Sequence, residues 1–188
     1  MSEERFHSPL FAIGPLPETD KARDLDFEPC GTPHAVGLVR EWHSRLPNTQ
    51  DGPWRYAFRA HYGDRTYAVA LWNNPSARIL PQDWLELRRM ACAPDAPRFT
   101  ASRFLGWMTR YFTEFCPEVK KVISYQDTAV HKGTIYKASG WRVDAVAKAR
   151  VRDRSKPRTG TKRAYRSNLN GVAPDASEKI RWAKELHP

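Results

Sequence analysis

The sequence predicts an α/β fold: a single domain with a mixed central sheet flanked by helices, followed by a basic C-terminal extension. Three observations predict it. Apolar and polar residues alternate in two short runs on either side of Gly63 and Asp64. Helical periodicity sits between two apolar runs in the stretch from Trp84 to Trp141. At 188 residues and 40% hydrophobic, the chain is long enough for one domain with a core and short for two.

Residues 1–33 are rich in proline and acids (Glu3, Glu4, Glu18, Asp20, Asp24, Asp26, Glu28) and read as an extended arm on the domain. The catalytic domain is expected over 34–153, and a basic loop with a C-terminal helix over 154–188. From Pro33 to Leu46 the residues Ala35, Val36, Leu38, Val39 and Trp42 recur at helical spacing, so a helix should lead into His43 and Arg45 and stop at Pro47. Trp54 to His61 and Tyr67 to Trp72 alternate as strands, and Gly63 with Asp64 supplies the turn of a hairpin. Asn73, Asn74 and Pro75 break the second strand, and Ala77 to Leu80 form at most a short continuation.

Leu85, Leu87 and Met90 then mark a strand, and Ala93 to Pro97 a Pro-rich turn. A helix carrying Ala101, Phe104, Leu105, Met108, Phe112 and Phe115 on its apolar face follows. After Pro117, Val119, Val122, Ile123 and Tyr125 give a second strand, parallel to the first across a right-handed crossover. A shorter helix from His131 to Ser139 should end at Gly140, which suits a C-terminal cap. Val143, Ala145, Ala147, Ala149 and Val151 alternate as a strand with one buried face, residues 154–171 lack any period, and Ser177 to Leu186 read as a helix capped by Ser177.

No apolar run approaches the ~18 residues of a membrane span, and the N-terminus lacks the layout of a secretory signal. Cys30, Cys92 and Cys116 are odd in number and form no CxxC pair, so a reducing, cytoplasmic setting is expected. The net charge of +10 is uneven: between Ala145 and Gly171, Lys148, Arg150, Arg152, Arg154, Lys156, Arg158, Lys162, Arg163 and Arg166 face only Asp153. Such a block is either a solvated tail or a surface for the phosphates of double-stranded DNA, and its place beside a catalytic core favours DNA. Within it, Lys148, Arg150, Arg154, Lys156, Arg158, Lys162, Arg163 and Arg166 are the candidate DNA-binding residues.

Two places carry candidate chemistry. The loop before the long helix, with Arg98, Thr100, Ala101, Ser102 and Arg103, offers unpaired backbone N–H groups and flanking arginines to a pyrophosphate; the alternative is an ordinary turn capped by Thr100 or Ser102. The second is the carboxyl end of the second parallel strand, where Ser124, Tyr125, Gln126, Asp127 and His131 should meet Arg88 and Arg89 in one crevice. A carboxylate there accepts a proton from an amine or holds a metal, unless Asp127 merely caps the next helix.

The order strand, phosphate-type loop, helix, strand and small helix closing in YKASGW resembles the core of the GNAT acyltransferase superfamily. Tyr136, Gly140 and Trp141 match the tyrosine, glycine and aromatic of its last helix, although the loop lacks the glycine-rich spacing of ordinary acetyltransferases. More narrowly, SYQDTAVHKGTIYKASGW, with LRRMACAPDAPRFTASRFLGWM before it and HSRLP upstream, resembles the Mom family of DNA adenine modification proteins. That resemblance implies an enzyme that converts adenine in DNA to N6-carbamoylmethyladenine as a bacteriophage anti-restriction modification. An acyl-CoA such as acetyl-CoA would be the small-molecule donor. It further implies Tyr136 as a general acid near the thiol, with Asp127, Ser124, His131 and Arg88 in the catalytic set and iron held by His43 and Asp127. A base in a duplex must then leave the stack, with Trp42, Trp54, Trp72 or Trp107 as stacking partners. Two other readings remain open: a CoA-dependent N-acetyltransferase of a protein or small-molecule amine, and a non-catalytic DNA-binding protein on a GNAT scaffold.

Overall fold

A central strand buried on both faces organises the molecule. In the computed structural model, which describes residues 17–43, 48–147 and 178–187, β3 (Arg65–Asn73) has six consecutive buried residues from Tyr67 to Trp72. A strand covered on both sides reads as a continuous apolar run, which is what this segment is. Around it the described residues form a seven-stranded sheet in the order β1-β2-β3-β4-β5-β7-β6, with β1 (Asp26–Pro29), β2 (Tyr56–Tyr62), β4 (Trp84–Cys92), β5 (Lys121–Asp127), β6 (Arg142–Ala147) and β7 (Lys179–Glu185). Only β4 and β5 pair in parallel; every other pair is antiparallel.

One face of the sheet carries the larger core. Helix α2 (Thr100–Phe115) lays Phe104, Leu105, Met108 and Phe112 on Phe58, Trp72, Leu85 and Leu87, at the helical spacing the sequence shows. The Trp72 indole N–H meets Met108 Sδ at 3.0 Å, so the buried polar tip of this ring has a partner. Phe115, expected on this face, falls past its edge and is 60% exposed. The short helix α3 (Thr134–Ala138) covers the same face. It begins at Thr134 rather than the expected His131, because Gly133 before it takes a left-handed φ of +71°, and Gly140, also at φ +71°, follows its end as expected. The other face is covered by α1 (Thr32–Trp42), which packs Ala35, Val36 and Val39 against Ala57, Val69, Leu71 and Ala91.

Five further expectations change. The N-terminal arm contributes a strand, since residues 26–29 pair with β2 and form one edge of the sheet. Helix α1 stops at Trp42, four residues short of Leu46; Arg45 and Pro47 lie outside the described residues. Residues 77–80 form turns rather than a strand. The largest correction is the C-terminal segment, a strand instead of a helix: β7 inserts between β5 and β6 and pairs with both. Ile180, Trp182 and Lys184 alternate with Lys179, Arg181 and Ala183, a period of two hidden under helix-favouring Glu, Lys and Ala, and two ladders outweigh a propensity worth a few tenths of a kcal/mol per residue. In β6 a register shift between Val143 and Ala145 breaks the alternation. Of the expected buried face, Val143 is 52% exposed, Ala145 partly buried and Ala147 exposed, while Ala149 and Val151 lie outside the described residues.

Trp182 locks β7 to the rest. Its ring stacks on Tyr136 at 5.4 Å, and its indole N–H donates to Gln126 Oε1 at 2.7 Å. Gly133 makes room for this contact: a Cβ there would lie 2.6 Å from Gln126 Oε1 and 2.7 Å from the indole, at φ +71°. Gly133→Ala should therefore lower stability by at least about 2 kcal/mol through strain and overpacking. Trp182→Ala should cost about 3–5 kcal/mol. Denaturant midpoints check both, and an unchanged midpoint for either removes this contact from the account.

Candidate functional site

The N-terminus of α2 opens into a cleft of about 470 Å³ lined by Asp20, Lys21, Arg23, Arg98, Phe99 and Arg103. No side chain caps the helix. The two expected alternatives, Thr100 and Ser102, turn their hydroxyls to carbonyls instead, on Pro97 O at 2.7 Å and Phe99 O at 3.1 Å. The Thr100 N–H donates to Pro97 O at 3.1 Å, and Thr100, Ala101 and Ser102 do not line the cleft. What the helix start contributes is its positive end beside a cleft with more cations than acids, which suits a phosphate-bearing group. Arg103 is set by its Nε donating to Ala22 O at 3.0 Å, and Arg98 lies over the Phe99 ring at 4.9 Å. Phe99 occupies the left-handed region at φ +73°, alone among the described non-glycine residues, and is 64% exposed. This is the turn where a glycine-rich loop would place glycine. Lys21 and Arg23 carry no motif, and only the fold brings them here.

Beyond this cleft the sheet opens. The parallel register of β4 and β5 runs from Trp84 with Lys121 to Leu87 with Ser124 and stops, while β5 continues to Asp127 on β7 and β4 continues to Cys92 on β3. A register shift on β3 between Leu71 and Trp72, opposite Arg88, places the bulge just past that last rung. Tyr136 marks the same point. Its hydroxyl lies 2.9 Å from Ser124 Oγ, which also donates to Leu87 O at 3.3 Å. Burial raises the Tyr136 pKa, opposed by the Ser124 hydrogen bond, so the phenol is protonated at neutral pH and able to donate.

The other expected site residues divide between the two faces. On the α1 face, Arg89 on β4 and His131 after β5 lie close enough to act on His43 at the end of α1: burial, then Arg89, then His131 lower the His43 pKa, which favours the neutral imidazole. Arg88 is tied into the β3–β4 connection, donating from Nη2 to Asn74 O at 2.6 Å, with Glu86 4.0 Å from its Nε. Asp127 is held by an ion pair to Lys179 and accepts from the Ala129 N–H at 3.1 Å, so its carboxylate also anchors a turn. Cys92 has no acidic character, because burial pushes its thiol up to about 11. Trp72 is buried in the α2-face core with Trp107 packed against it, and Trp42 and Trp54 pack, partly exposed, against the α1-face core.

The implied iron does not fit. Among the described residues no three His, Cys, Asp or Glu side chains gather at a possible metal position, and the Asp127 carboxylate expected to share the ion with His43 is paired with Lys179. No step below is routed through a metal. The basic residues Lys148, Arg150, Arg154, Lys156, Arg158, Lys162, Arg163 and Arg166 lie outside the described residues. Sequence reasoning missed Trp182 and Gln126 as the pair that positions Tyr136 and the 127–133 loop; Gln126 donates to His131 O as it accepts from Trp182. The available signal was the period of two in β7.

Solved structures of acetyltransferases share this architecture at low identity. A ribosomal-protein alanine N-acetyltransferase from Escherichia coli aligns with TM-score 0.57 and 12% identity over 87% of this chain and 95% of its own. An acetyltransferase from Bacillus subtilis in complex with CoA aligns at 0.56 and 11%, over 87% and 99%. An acetyltransferase of the GNAT family from Desulfovibrio desulfuricans aligns at 0.57 and 14%, over 87% and 99%. No curated protein sequence matches. The fold is that of the GNAT acetyltransferases, and the sequence profile of the Mom protein family matches residues 24–186, from before the edge strand to the end of β7. The chain belongs to the Mom protein family.

Proposed function

We propose that this protein is a transferase that moves a small acyl group from a CoA thioester to the exocyclic N6 of adenine in DNA, forming an N6-amide and releasing the CoA thiol. The N6-carbamoylmethyladenine implied by the family resemblance has a CH2 link and an amide nitrogen, which require a nitrogen-bearing donor and a step beyond this transfer. The observation that carries the reading is the opening between β4 and β5, with the protonated Tyr136 hydroxyl at its apex and an uncapped, cation-lined helix N-terminus on one side. Lys21, Arg23, Arg98 and Arg103, beside the positive end of α2, would hold the donor's diphosphate, as the complex of the Bacillus subtilis relative with CoA supports. The thioester supplies an activated carbonyl carbon next to a good leaving group. Tyr136 donates its proton to the departing sulfur, and Ser124 fixes the direction of the phenol. Neutral His43, on the opposite face, is suited to accept a proton from the incoming amine. Family membership favours DNA adenine as acceptor, and the +10 charge suits a polyanion. A conventional N-acetyltransferase is the second reading, favoured by the acetyltransferase relatives of the fold.

Nucleosides from DNA of cells making the protein should contain a new adenosine derivative. Its mass separates a carbamoylmethyl group, which carries an amide nitrogen, from a plain acetyl, and unmodified DNA would overturn the reading. Tyr136→Phe should slow single-turnover transfer by about 10²–10⁴-fold. The affinity for CoA, by titration, should stay within error of wild type; an unchanged rate would remove the phenol from the chemistry. Neutralising Arg154, Lys156, Arg158, Lys162 and Arg163 together should flatten the salt dependence of duplex binding by roughly 0.9 log units per lost phosphate contact. An unaltered slope would make that segment a solvated tail.

A further inference from the structure

Among the described residues, a cation without an ion-pair partner stands where the sheet opens. Arg89 lies two residues past the last β4–β5 rung, opposite Leu71 and therefore on the α1 face. Its Nη1 donates to Arg88 O at 2.6 Å, whereas its Nε is buried and has no acceptor among the described residues. Nor does any described carboxylate form an ion pair with it. Glu86 is the acid whose charge reaches Arg89, and it is engaged elsewhere, accepting from the Ser76 N–H at 2.7 Å and lying 4.0 Å from Arg88 Nε. The remaining groups that face Arg89 are Arg88, His43 and, through His43, His131, and none of them is an acid.

A half-buried guanidinium with no anion beside it destabilises the folded chain, because desolvation of the charge is not offset. Burial and Arg88 both push its pKa down, in keeping with that cost. The arrangement becomes favourable when an anion arrives from outside, and a planar guanidinium matches the oxygens of a phosphate better than an ammonium does. The cleft at the α2 N-terminus serves the donor from the other face, so an anion at Arg89 belongs to the acceptor.

We propose that Arg89 receives one phosphate of the nucleic-acid backbone, the one adjoining the nucleotide presented to the gap beside Tyr136. This rests on the DNA reading above and adds to it a positioning residue. The contact fixes which nucleotide reaches the opening, independently of the dispersed attraction of the basic segment.

The test is a set of duplexes, each carrying a single uncharged methylphosphonate at one position around the target adenine, bound by wild type, Arg89→Gln and Arg89→Lys. One position should weaken wild-type binding about ten-fold, the scale of one charge-assisted hydrogen bond, and leave Arg89→Gln unaffected. Arg89→Gln should also lower the salt slope by about 0.9, while Arg89→Lys keeps the slope. The melting temperature of Arg89→Gln should not fall, since it removes a charge that no described carboxylate pairs. Equal losses in wild type and Arg89→Gln at every position, or weakened CoA binding with DNA binding intact, would overturn the assignment; the second result would give the phosphate to the donor. Absence of any duplex binding by wild type at low salt would sink the DNA reading with it, whereas binding that is merely additive sinks this inference and leaves that reading standing.

Discussion

The parallel ladder between β4 and β5 lasts for four residue pairs, and the rest of the structure follows from its ending there. A parallel pair that continued would close the sheet and leave no opening between its faces. Because it stops at Leu87 and Ser124, backbone groups of both strands become available to a ligand, and each strand must find its remaining hydrogen bonds on its outer neighbour. On β4 that neighbour is β3, long and buried on both faces. On β5 it is β7, which comes from far along the chain.

That dependence explains the packing beside the opening. Tyr136 can hold its hydroxyl at the last rung only because Trp182 lies flat against its ring and Gln126 fixes the indole. Trp141 also packs against Tyr136 at 5.7 Å and donates its indole N–H to Thr109 of α2, so two tryptophans hold the small helix and one of them ties it to α2. The position of one phenol is thus set by strand, helix and loop together, and the stiffness suits a group that must donate a proton along one direction.

Much of this was legible in the chain. The hairpin, the crossover unit and the glycine stop at Gly140 each carry a local signature, and these elements appear where periodicity places them. Ser124 and Tyr136 were both singled out as site residues, and the structure joins them by a hydrogen bond. What escaped reading was non-local. Ile180, Ala183 and Leu186 recur at helical spacing while Ile180 and Trp182 recur at strand spacing, and only the unpaired edges of β5 and β6 decide between the two. Asp127 stands at the expected strand end, yet its pairing with Lys179 depends on β7 and has no trace in its neighbours. The division of the crevice into a Tyr136 side and a His43 side likewise required the sheet itself.

The insertion of β7 also orders events in time. Strands β5 and β6 emerge from the ribosome before the segment that bridges them, and at about 5–20 residues per second the interval between β6 and β7 is a few seconds. During that interval β5 carries an open edge on the side away from β4, with Val122 and Ile123 next to it. Nascent chains held at this stage are therefore the species most exposed to pairing with one another, and the charge of the intervening stretch, repelling its copies, works against that encounter.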